Sequence, residues 1–162
     1  MERCKFLISG SHGFLGSELK EQLERSSQEV IRGDREGNVP QGVDYVVYCQ
    51  SYGNYYWQKD IEGIYKANLF TLIKALDNSA GVRGFVYISS SSVLLPQQTF
   101  YSLAKQAGEL ACLNWDGPAK ILRPSSITGT GESKEHLIPK LINSCLTGEE
   151  MLFVGEPTHD YV

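Results

Sequence analysis

The chain has 162 residues, of which 41% are hydrophobic and 21% charged, and its formal net charge is −4. This composition indicates one folded domain with a real core, and the acidic balance argues against a nucleic-acid-binding protein. The sequence shows neither the roughly 20-residue apolar run of a membrane helix nor a signal peptide. The four cysteines are scattered without metal-site or disulfide spacing, so we expect a reduced, cytoplasmic protein with no bound metal.

Apolar periodicity divides the chain into alternating strands and helices. The predicted strands are Lys5–Ser9, Glu29–Arg32, Val43–Cys49, Phe85–Ile88 and Ala119–Arg123. The predicted helices are Leu15–Glu24, Ile61–Asn78, Tyr101–Leu113 and Leu137–Leu146. This alternation predicts an α/β fold with a doubly wound parallel sheet, in strand order 3-2-1-4-5-6 or a depleted version of it, and helices on both faces.

The connection between the second and third strands is unusually short. Only eight residues separate Asp34 from Val43. A crossover that contains a helix needs about a dozen residues or more. We therefore expect one element of the usual six-strand pattern to be missing or reduced to a loop.

A glycine-rich turn joins the first strand to the first helix. Gly10, Gly13 and Gly16 have the spacing G-x-x-G-x-x-G, with Phe14 and Leu15 between the last two. In this context the glycines allow a tight exit from the strand, close approach of a pyrophosphate and close packing of the helix. The free N–H groups at the helix start favour phosphates. The turn predicts a dinucleotide cofactor, NAD or NADP; His12 within it points either to the pyrophosphate or to solvent.

Asp34 ends the second strand region, 18 residues after Gly16. An acid about 20 residues beyond such a turn bonds the adenosine ribose hydroxyls, and its charge repels the 2′-phosphate of NADP. This position favours NAD. Arg32 and Arg35 would instead accommodate the 2′-phosphate, and Asp34 could also serve only to form the turn that follows the strand.

Tyr101 and Lys105 lie at i and i+4, on the same face of one predicted helix. A phenol is a weak base at neutral pH, and a nearby ammonium group favours the phenolate. The run Ser89–Ser92 follows a strand, so it lies at the carboxyl edge of the sheet, where open α/β sheets bind ligands. A tyrosine base with a serine hydroxyl is the first interpretation. An ordinary helix start and a solvated strand end are the alternatives.

Together these residues resemble the short-chain dehydrogenase/reductase superfamily, specifically its extended branch of NAD-dependent nucleotide-sugar epimerases and dehydratases. Further segments carry the resemblance: Asn68 in Tyr-Lys-Ala-Asn-Leu, Ile88–Val93, and Leu122–Gly129, which is similar to L-R-P-x-x-x-x-G. The resemblance implies a Rossmann fold, a catalytic Tyr101 and Lys105, and an active-site hydroxyl on Ser90. It also implies cofactor contacts by Gly10, Gly13, Phe14, Leu15, Gly16, Asp34, Arg35, Asn68, Lys105 and Pro124.

The implied function is an NAD(P)-dependent epimerase, dehydratase or reductase that acts on a nucleotide sugar or related carbonyl compound. The alternative is a dinucleotide-binding module without turnover, or a fragment of a longer enzyme. His159–Val162 resembles the family's R-D-[FY]-V, which leads into the substrate domain. We therefore expect residues 1–162 to form the dinucleotide-binding domain. The family also commonly forms homodimers, here through the helices predicted at Ile61–Asn78 and Tyr101–Leu113.

Three other features have simpler interpretations. The aromatic cluster Tyr52–Trp57 is expected to pack a loop or a dimer face rather than stack on a nucleotide or sugar. His136 and His159 lack ligand spacing and are expected at the surface. Thr128–Gly131 is expected to form a turn rather than a phosphate loop.

Overall fold

The computed structural model describes residues 2–54 and 58–150. The chain divides into two compact units, Met1–Ile127 and Thr128–Val162. In the first unit the strands are β1 (Lys5–Ser9), β2 (Glu29–Arg32), β3 (Tyr45–Tyr48), β4 (Gly84–Ile88) and β5 (Ala119–Leu122). Its helices are α1 (Phe14–Arg25), α2 (Ile61–Tyr65), α3 (Thr71–Asp77) and α4 (Phe100–Asn114), with a π-helical segment (Lys66–Phe70) and a 3₁₀ helix (Ser91–Leu94). The second unit contains α5 (Leu137–Thr147), which ends at Gly148 with a φ of 73°.

The described residues form a five-stranded, fully parallel sheet in the order β2-β1-β3-β4-β5. This is the predicted six-strand order without the strand that would lie outside β2. Because every strand runs the same way, all five carboxyl ends meet at one edge of the sheet. The predicted α/β fold with a reduced second crossover is confirmed.

Apolar runs in the central strands build the core. Val46, Val47 and Tyr48 of β3 are all buried, as expected for a parallel strand covered on both faces. The Tyr48 ring packs 6.4 Å from the Phe85 ring and 6.2 Å from the Tyr87 ring, centroid to centroid. These aromatic contacts pack β3 against β4 within the core. No helix among the described residues combines the length and apolar character needed to cross a membrane.

The prediction of one regular helix over Ile61–Asn78 was wrong, because a π-helical segment separates α2 from α3. The cause lies in Asn68, whose Nδ2 donates to the Ile64 carbonyl oxygen at 2.8 Å. A side chain that bonds this carbonyl competes with the regular backbone pattern and widens the turn. Apolar periodicity alone does not reveal such a local competition.

Strand β3 is shorter than the predicted Val43–Cys49. At its start the Asp44 side chain replaces a backbone partner, because Oδ2 accepts from the Lys5 N–H at 2.7 Å. β5 likewise ends one residue before the predicted Arg123. There the Arg123 side chain turns back to Glu109 on α4.

A loop replaces the usual helix and strand between β2 and β3. Asp34 Oδ1 accepts hydrogen bonds from the Glu36 and Asn38 N–H groups, at 2.9 and 3.2 Å. The buried Gly37 then meets the end of α3, where Asn78 Nδ2 donates to its carbonyl oxygen at 3.0 Å. The short connection therefore reaches β3 by packing its backbone directly on a helix.

This packing predicts unequal effects for two glycine substitutions in the same loop. Gly37 has a φ of +75°, and a Cβ there would lie 2.6 Å from the Thr71 carbonyl oxygen. Gly42 has a φ of +76° but open space around it. Gly42→Ala should cost about 1 kcal/mol of unfolding free energy from backbone strain alone. Gly37→Ala should cost at least about 2 kcal/mol more, because backbone must move. Urea unfolding measures both, and equal costs would contradict the packed loop.

Candidate functional site

The carboxyl edge of the sheet brings together predicted site residues that are far apart in sequence. The glycine turn follows β1, and Asp34 follows β2. Ser90 follows β4, and Pro124 follows β5. All of these lie in the first compact unit. Open parallel sheets bind ligands at this edge, so the topology places the predicted residues where a cofactor would lie.

Two of the three turn glycines are required by the protein's own backbone. Gly10 has a φ of +75°, and a Cβ there would lie 2.8 Å from the Gln50 nitrogen. A Cβ on Gly16 would lie only 2.3 Å from the Gly10 carbonyl oxygen. The exposed Gly13 is less constrained, because its Cβ would meet that oxygen at 3.3 Å, a tight contact that a small backbone shift would relieve. The missing side chain at Gly13 therefore leaves space on the outside of the turn, where a ligand can approach.

The start of α1 fits an anionic group. Gly13 is the N-cap, so no side chain caps the helix, and its first turn contains no acidic residue. The N–H groups of Phe14, Leu15 and Gly16 open the helix and have no partner one turn earlier. The positive end of the helix dipole faces the same space. This uncapped start, together with the open space at Gly13, fits the pyrophosphate of a dinucleotide.

Asp34 forms the turn after β2, which was the alternative interpretation of this residue. Its Oδ2 accepts from Asn38 Nδ2 at 2.6 Å, in addition to the two backbone bonds to Oδ1. The side chain remains exposed, so its contact with a ribose stays a prediction. Nearby, Arg32 Nη1 lies 3.2 Å from His12 Nε2, which links the glycine turn to the end of β2. Arg35 is exposed.

Ser90 is the N-cap of the 3₁₀ helix that follows β4. Its Oγ accepts from the Ser92 N–H at 3.2 Å and contacts Ser92 Oγ at 2.9 Å. The next residue, Ser91, donates its N–H to the Pro124 carbonyl oxygen at 2.9 Å. The ends of β4 and β5 are therefore joined, and Ser90 is held half-buried at the edge rather than solvated at a frayed strand end.

Helix α4 presents Tyr101 and Lys105 at this edge. A capping box starts the helix: Thr99 Oγ1 accepts from the Ser102 N–H at 3.1 Å, and Ser102 Oγ accepts from the Thr99 N–H at 2.8 Å. Tyr101 is half-buried in the first turn, whereas Lys105 is only 1% exposed. Lys105 Nζ lies 5.8 Å from the Tyr101 ring centroid and donates to the Ile88 carbonyl oxygen at 2.9 Å. The predicted pair is therefore adjacent, and its lysine is bonded to the strand that carries Ser90.

Burial lowers the pKa of Lys105 to about 8, although the nearby Cys49 thiol opposes the shift. Burial also raises the pKa of Cys49 to about 11, so this thiol stays protonated at neutral pH. The ammonium group of Lys105 is consequently charged at pH 7 but close to its titration range.

Asn68 is fully buried, and protein groups use both ends of its side-chain amide. Oδ1 accepts from Ser51 Oγ at 3.2 Å and from the Tyr52 N–H at 3.4 Å. Nδ2 donates to the carbonyl oxygens of Tyr52 and Ile64, at 2.6 and 2.8 Å. Asn68 therefore holds the loop after β3 against the helical run 61–77. Its predicted contact with the cofactor stays a prediction.

The sequence interpretation missed an ion pair at the same edge, between a buried carboxylate and an exposed guanidinium group. Glu109 of α4 is 4% exposed, and its carboxylate accepts from Arg123 Nε at 2.9 Å and from Arg123 Nη2 at 2.6 Å. These hydrogen bonds hold the pKa of Glu109 below its usual range. The signal was available, because Tyr101, Lys105 and Glu109 lie at i, i+4 and i+8 on one helix face.

The remaining expectations have mixed outcomes. Tyr55–Trp57 of the aromatic cluster and the segment His159–Val162 lie outside the described residues. His136, expected at the surface, is half-buried, and its Nδ1 lies 2.9 Å from Glu132 Oε1. Thr128–Gly131 leads into a turn in which the Glu132 N–H donates to the Gly129 carbonyl oxygen at 3.2 Å. The four cysteines are free thiols.

The buried ammonium group predicts a pH-dependent stability difference between the wild type and Lys105→Met. Lysine has an ordinary pKa of 10.5, and the folded value is about 8. Below pH 8 the folded state bears the full cost of a buried charge. Between pH 8 and 10.5 the folded state loses this proton before the unfolded state does, so wild-type stability rises by up to about 3 kcal/mol. Methionine carries no charge and gains nothing over this range.

Urea unfolding at pH 7 to 10.5 tests this prediction. The stability of Lys105→Met minus that of the wild type should fall by about 3 kcal/mol across the range. Lys74→Met is the matched control. The Lys74 ammonium group is exposed and stays hydrated on folding, so the corresponding stability difference should stay flat. A flat difference for Lys105→Met would show that this ammonium group is not buried.

Comparison with known proteins identifies the family. The model of the NAD dependent epimerase/dehydratase family matches residues 38–162, which include Asn68, Ser90, Tyr101, Lys105 and Pro124. The glycine turn precedes the matched residues. Among curated proteins, no match was found.

Solved structures share the fold. UDP-glucuronic acid 4-epimerase from Bacillus cereus, in complex with NAD, is 21% identical, with a TM-score of 0.74 over 88% of this chain and 63% of that chain. MoeE5 in complex with UDP-glucose and NAD is 24% identical, with a TM-score of 0.74 over 90% of this chain and 62% of that one. dTDP-4-dehydrorhamnose reductase from Bacillus anthracis, in complex with NADP, is 20% identical, with a TM-score of 0.76 over 93% and 62%. The chain thus spans less than two thirds of the length of each of these proteins. The family match confirms the resemblance seen in the sequence, and the chain belongs to the NAD dependent epimerase/dehydratase family.

Proposed function

We propose that this chain binds NAD at the carboxyl edge of its sheet and forms the cofactor-binding and catalytic part of an enzyme that modifies a nucleotide sugar or a related carbonyl compound. One observation carries the proposal. Lys105 is buried beside Tyr101 and donates to a carbonyl oxygen of β4, at the edge where the glycine turn also lies. A buried ammonium that bonds a carbonyl rather than a carboxylate is costly, and perturbed groups of this kind concentrate at functional sites.

The proposed cofactor site runs along the edge from β2 to β5. Gly10, Gly13 and Gly16 shape the turn, and the N–H groups that start α1 at Phe14 and Leu15 bind the pyrophosphate. Asp34 and Arg35 would hold the adenosine ribose. Lys105 and Pro124 would contact the nicotinamide half, and Asn68 would hold the adjoining loop in place.

NAD is the favoured cofactor because the Asp34 carboxylate would repel a 2′-phosphate. The alternative is NADP, with the phosphate bound by Arg32 and Arg35. The contact between Arg32 and His12 keeps a cation at the end of β2 and supports this alternative. The solved relatives include complexes with NAD and one with NADP.

The proposed chemistry assigns one task to each of three side chains. The bound nicotinamide supplies hydride transfer to and from the substrate carbon. Tyr101, as phenolate, takes the proton of the substrate hydroxyl when that carbon is oxidised, and returns it when the carbonyl is reduced. Lys105 stabilises the phenolate by its charge, and the Ser90 hydroxyl holds the reacting oxygen. Epimerase, dehydratase and reductase reactions share this step and differ in what happens to the resulting ketone.

A dinucleotide-binding module without turnover is the second candidate. This candidate shares the proposed cofactor site and differs only in lacking the chemical step. The combination of Ser90, Tyr101 and Lys105 favours an enzyme, because a protein that only binds the cofactor needs no base. The assignment of residues 1–162 as the dinucleotide-binding domain remains part of this proposal.

Tyr101→Phe separates binding from chemistry. The substitution removes only the hydroxyl group, so calorimetric titration should give an NADH affinity close to that of the wild type. Turnover with nucleotide sugars or carbonyl compounds should fall by on the order of 10²–10⁴-fold. NADPH in the same titrations tests the cofactor preference, since tighter binding of NADPH would reject the role given to Asp34.

Two outcomes would reject these proposals. A folded wild-type protein that binds neither NADH nor NADPH would reject the cofactor site. If the wild type binds the cofactor but turns over none of the nucleotide sugars or carbonyl compounds, and Tyr101→Phe has no effect, the chain is a binding module and not an enzyme.

We further propose a homodimer through the outer faces of the helical run 61–77 and α4. Large apolar side chains are exposed on both elements: Phe70, Ile73, Leu103, Leu110 and Leu113. Such a stripe on two neighbouring helices fits the four-helix bundle that the resemblance implies. Burying it against a second copy would remove these side chains from water.

Light scattering at high protein concentration tests the dimer. The wild type should show about twice the chain mass of 18.0 kDa. Leu110→Glu should give the monomer mass, because it places a charge in the middle of the apolar stripe. Leu94→Glu, at an exposed leucine outside the stripe, is the matched control and should leave the dimer intact. A wild-type mass near 18.0 kDa would contradict the proposal.

A further inference from the structure

Glu109 carries a buried carboxylate that the proposed chemistry does not use. It lies one helical turn beyond Lys105, on the same inward face of α4. Its Oε1 accepts from Ser89 Oγ at 2.5 Å and from Arg123 Nε, and its Oε2 accepts from Arg123 Nη2. A buried carboxylate is tolerated only when its oxygens are satisfied, and these bonds satisfy both of them.

These bonds connect three elements. Ser89 is the first residue after β4, and its N–H donates to the Leu122 carbonyl oxygen of β5 at 2.7 Å. Arg123 is the first residue after β5 and directly precedes Pro124. Lys105 already bonds the carbonyl oxygen of Ile88, so α4 contacts two consecutive residues of the β4 end through two side chains.

The geometry points to Glu109 as a positioning residue for the nicotinamide end of the site, an inference that rests on the proposed function. Through Ser89 it fixes the segment that carries Ser90. Through Arg123 it fixes the segment that carries Pro124. Both segments are thereby held against the helix that carries Tyr101.

A carboxylate suits this task better than its neutral analogues. The guanidinium group of Arg123 presents two parallel N–H donors, which pair with the two oxygens of one carboxylate. Glutamine would replace one of these oxygens with an NH₂ group that points at a donor. The pair would lose its planar, two-bond geometry, and Ser89 would compete for the single remaining acceptor.

The test compares two ligands that share the adenosine diphosphate ribose part. NADH carries the nicotinamide, whereas ADP-ribose lacks it. Calorimetric titration of Glu109→Gln should show NADH binding weakened by about tenfold, and ADP-ribose binding unchanged, because only the nicotinamide end is displaced. A purely structural role would lower the unfolding free energy without changing the ratio of the two affinities.

Glu29→Gln is the matched control. Glu29 pairs with Lys5 at 3.0 Å at the opposite edge of the sheet, so its loss should change neither affinity. Ser89→Ala is the second variant if Glu109→Gln fails to fold. It removes the hydroxyl group that donates to Glu109, and it should weaken NADH binding selectively but by less than Glu109→Gln does.

Each result has a distinct meaning. A selective loss of NADH affinity supports the positioning role. Equal losses for NADH and ADP-ribose, or no loss for either, would overturn it while leaving the proposed cofactor site intact. A folded wild type that binds neither ligand would overturn the proposed function, and with it this inference.

Discussion

The hydrogen bond from the Lys105 ammonium group to the Ile88 carbonyl oxygen decides how the candidate site is built. Burial destabilises the charged form of Lys105 and so lowers its pKa. The hydrogen bond also fixes α4 to the carboxyl end of β4 and keeps a positive charge beside Tyr101. The position of Tyr101 relative to the segment that carries Ser90 depends on that attachment.

The sheet keeps the carboxyl edge that carries the candidate site although its second crossover is reduced. The residues around Gly37 pack on the end of α3 and take the chain from β2 to β3 without another strand. The missing strand would lie outside β2, at the far end from β4 and β5. Its loss therefore removes surface next to Asp34, where we propose that the adenosine binds. The other end of the sheet, which carries Tyr101 and Pro124, is unchanged.

Patterns within one element predicted most of the fold. β1 and β2 have the predicted bounds, because short apolar runs bordered by turn residues leave few alternatives. The spacing of the glycines also located the turn. What the sequence did not reveal depends on contacts between distant residues. The bonds of Glu109 to Ser89 and Arg123 span 20 and 14 residues, and the π-helical segment depends on where one buried asparagine side chain bonds. Asp34 fits both a ribose contact and a turn, and the sequence could not choose between them.

A titration with NADH followed by ¹H–¹⁵N NMR tests, residue by residue, whether a dinucleotide binds across the carboxyl edge with its pyrophosphate on the glycine turn. We expect the largest amide shifts at residues 10–16 and at the segment after β4, and no change at the strand starts Lys5 and Glu29. Shifts confined to the opposite edge of the sheet, or no shifts at all in a folded protein, would show that no dinucleotide binds in this way.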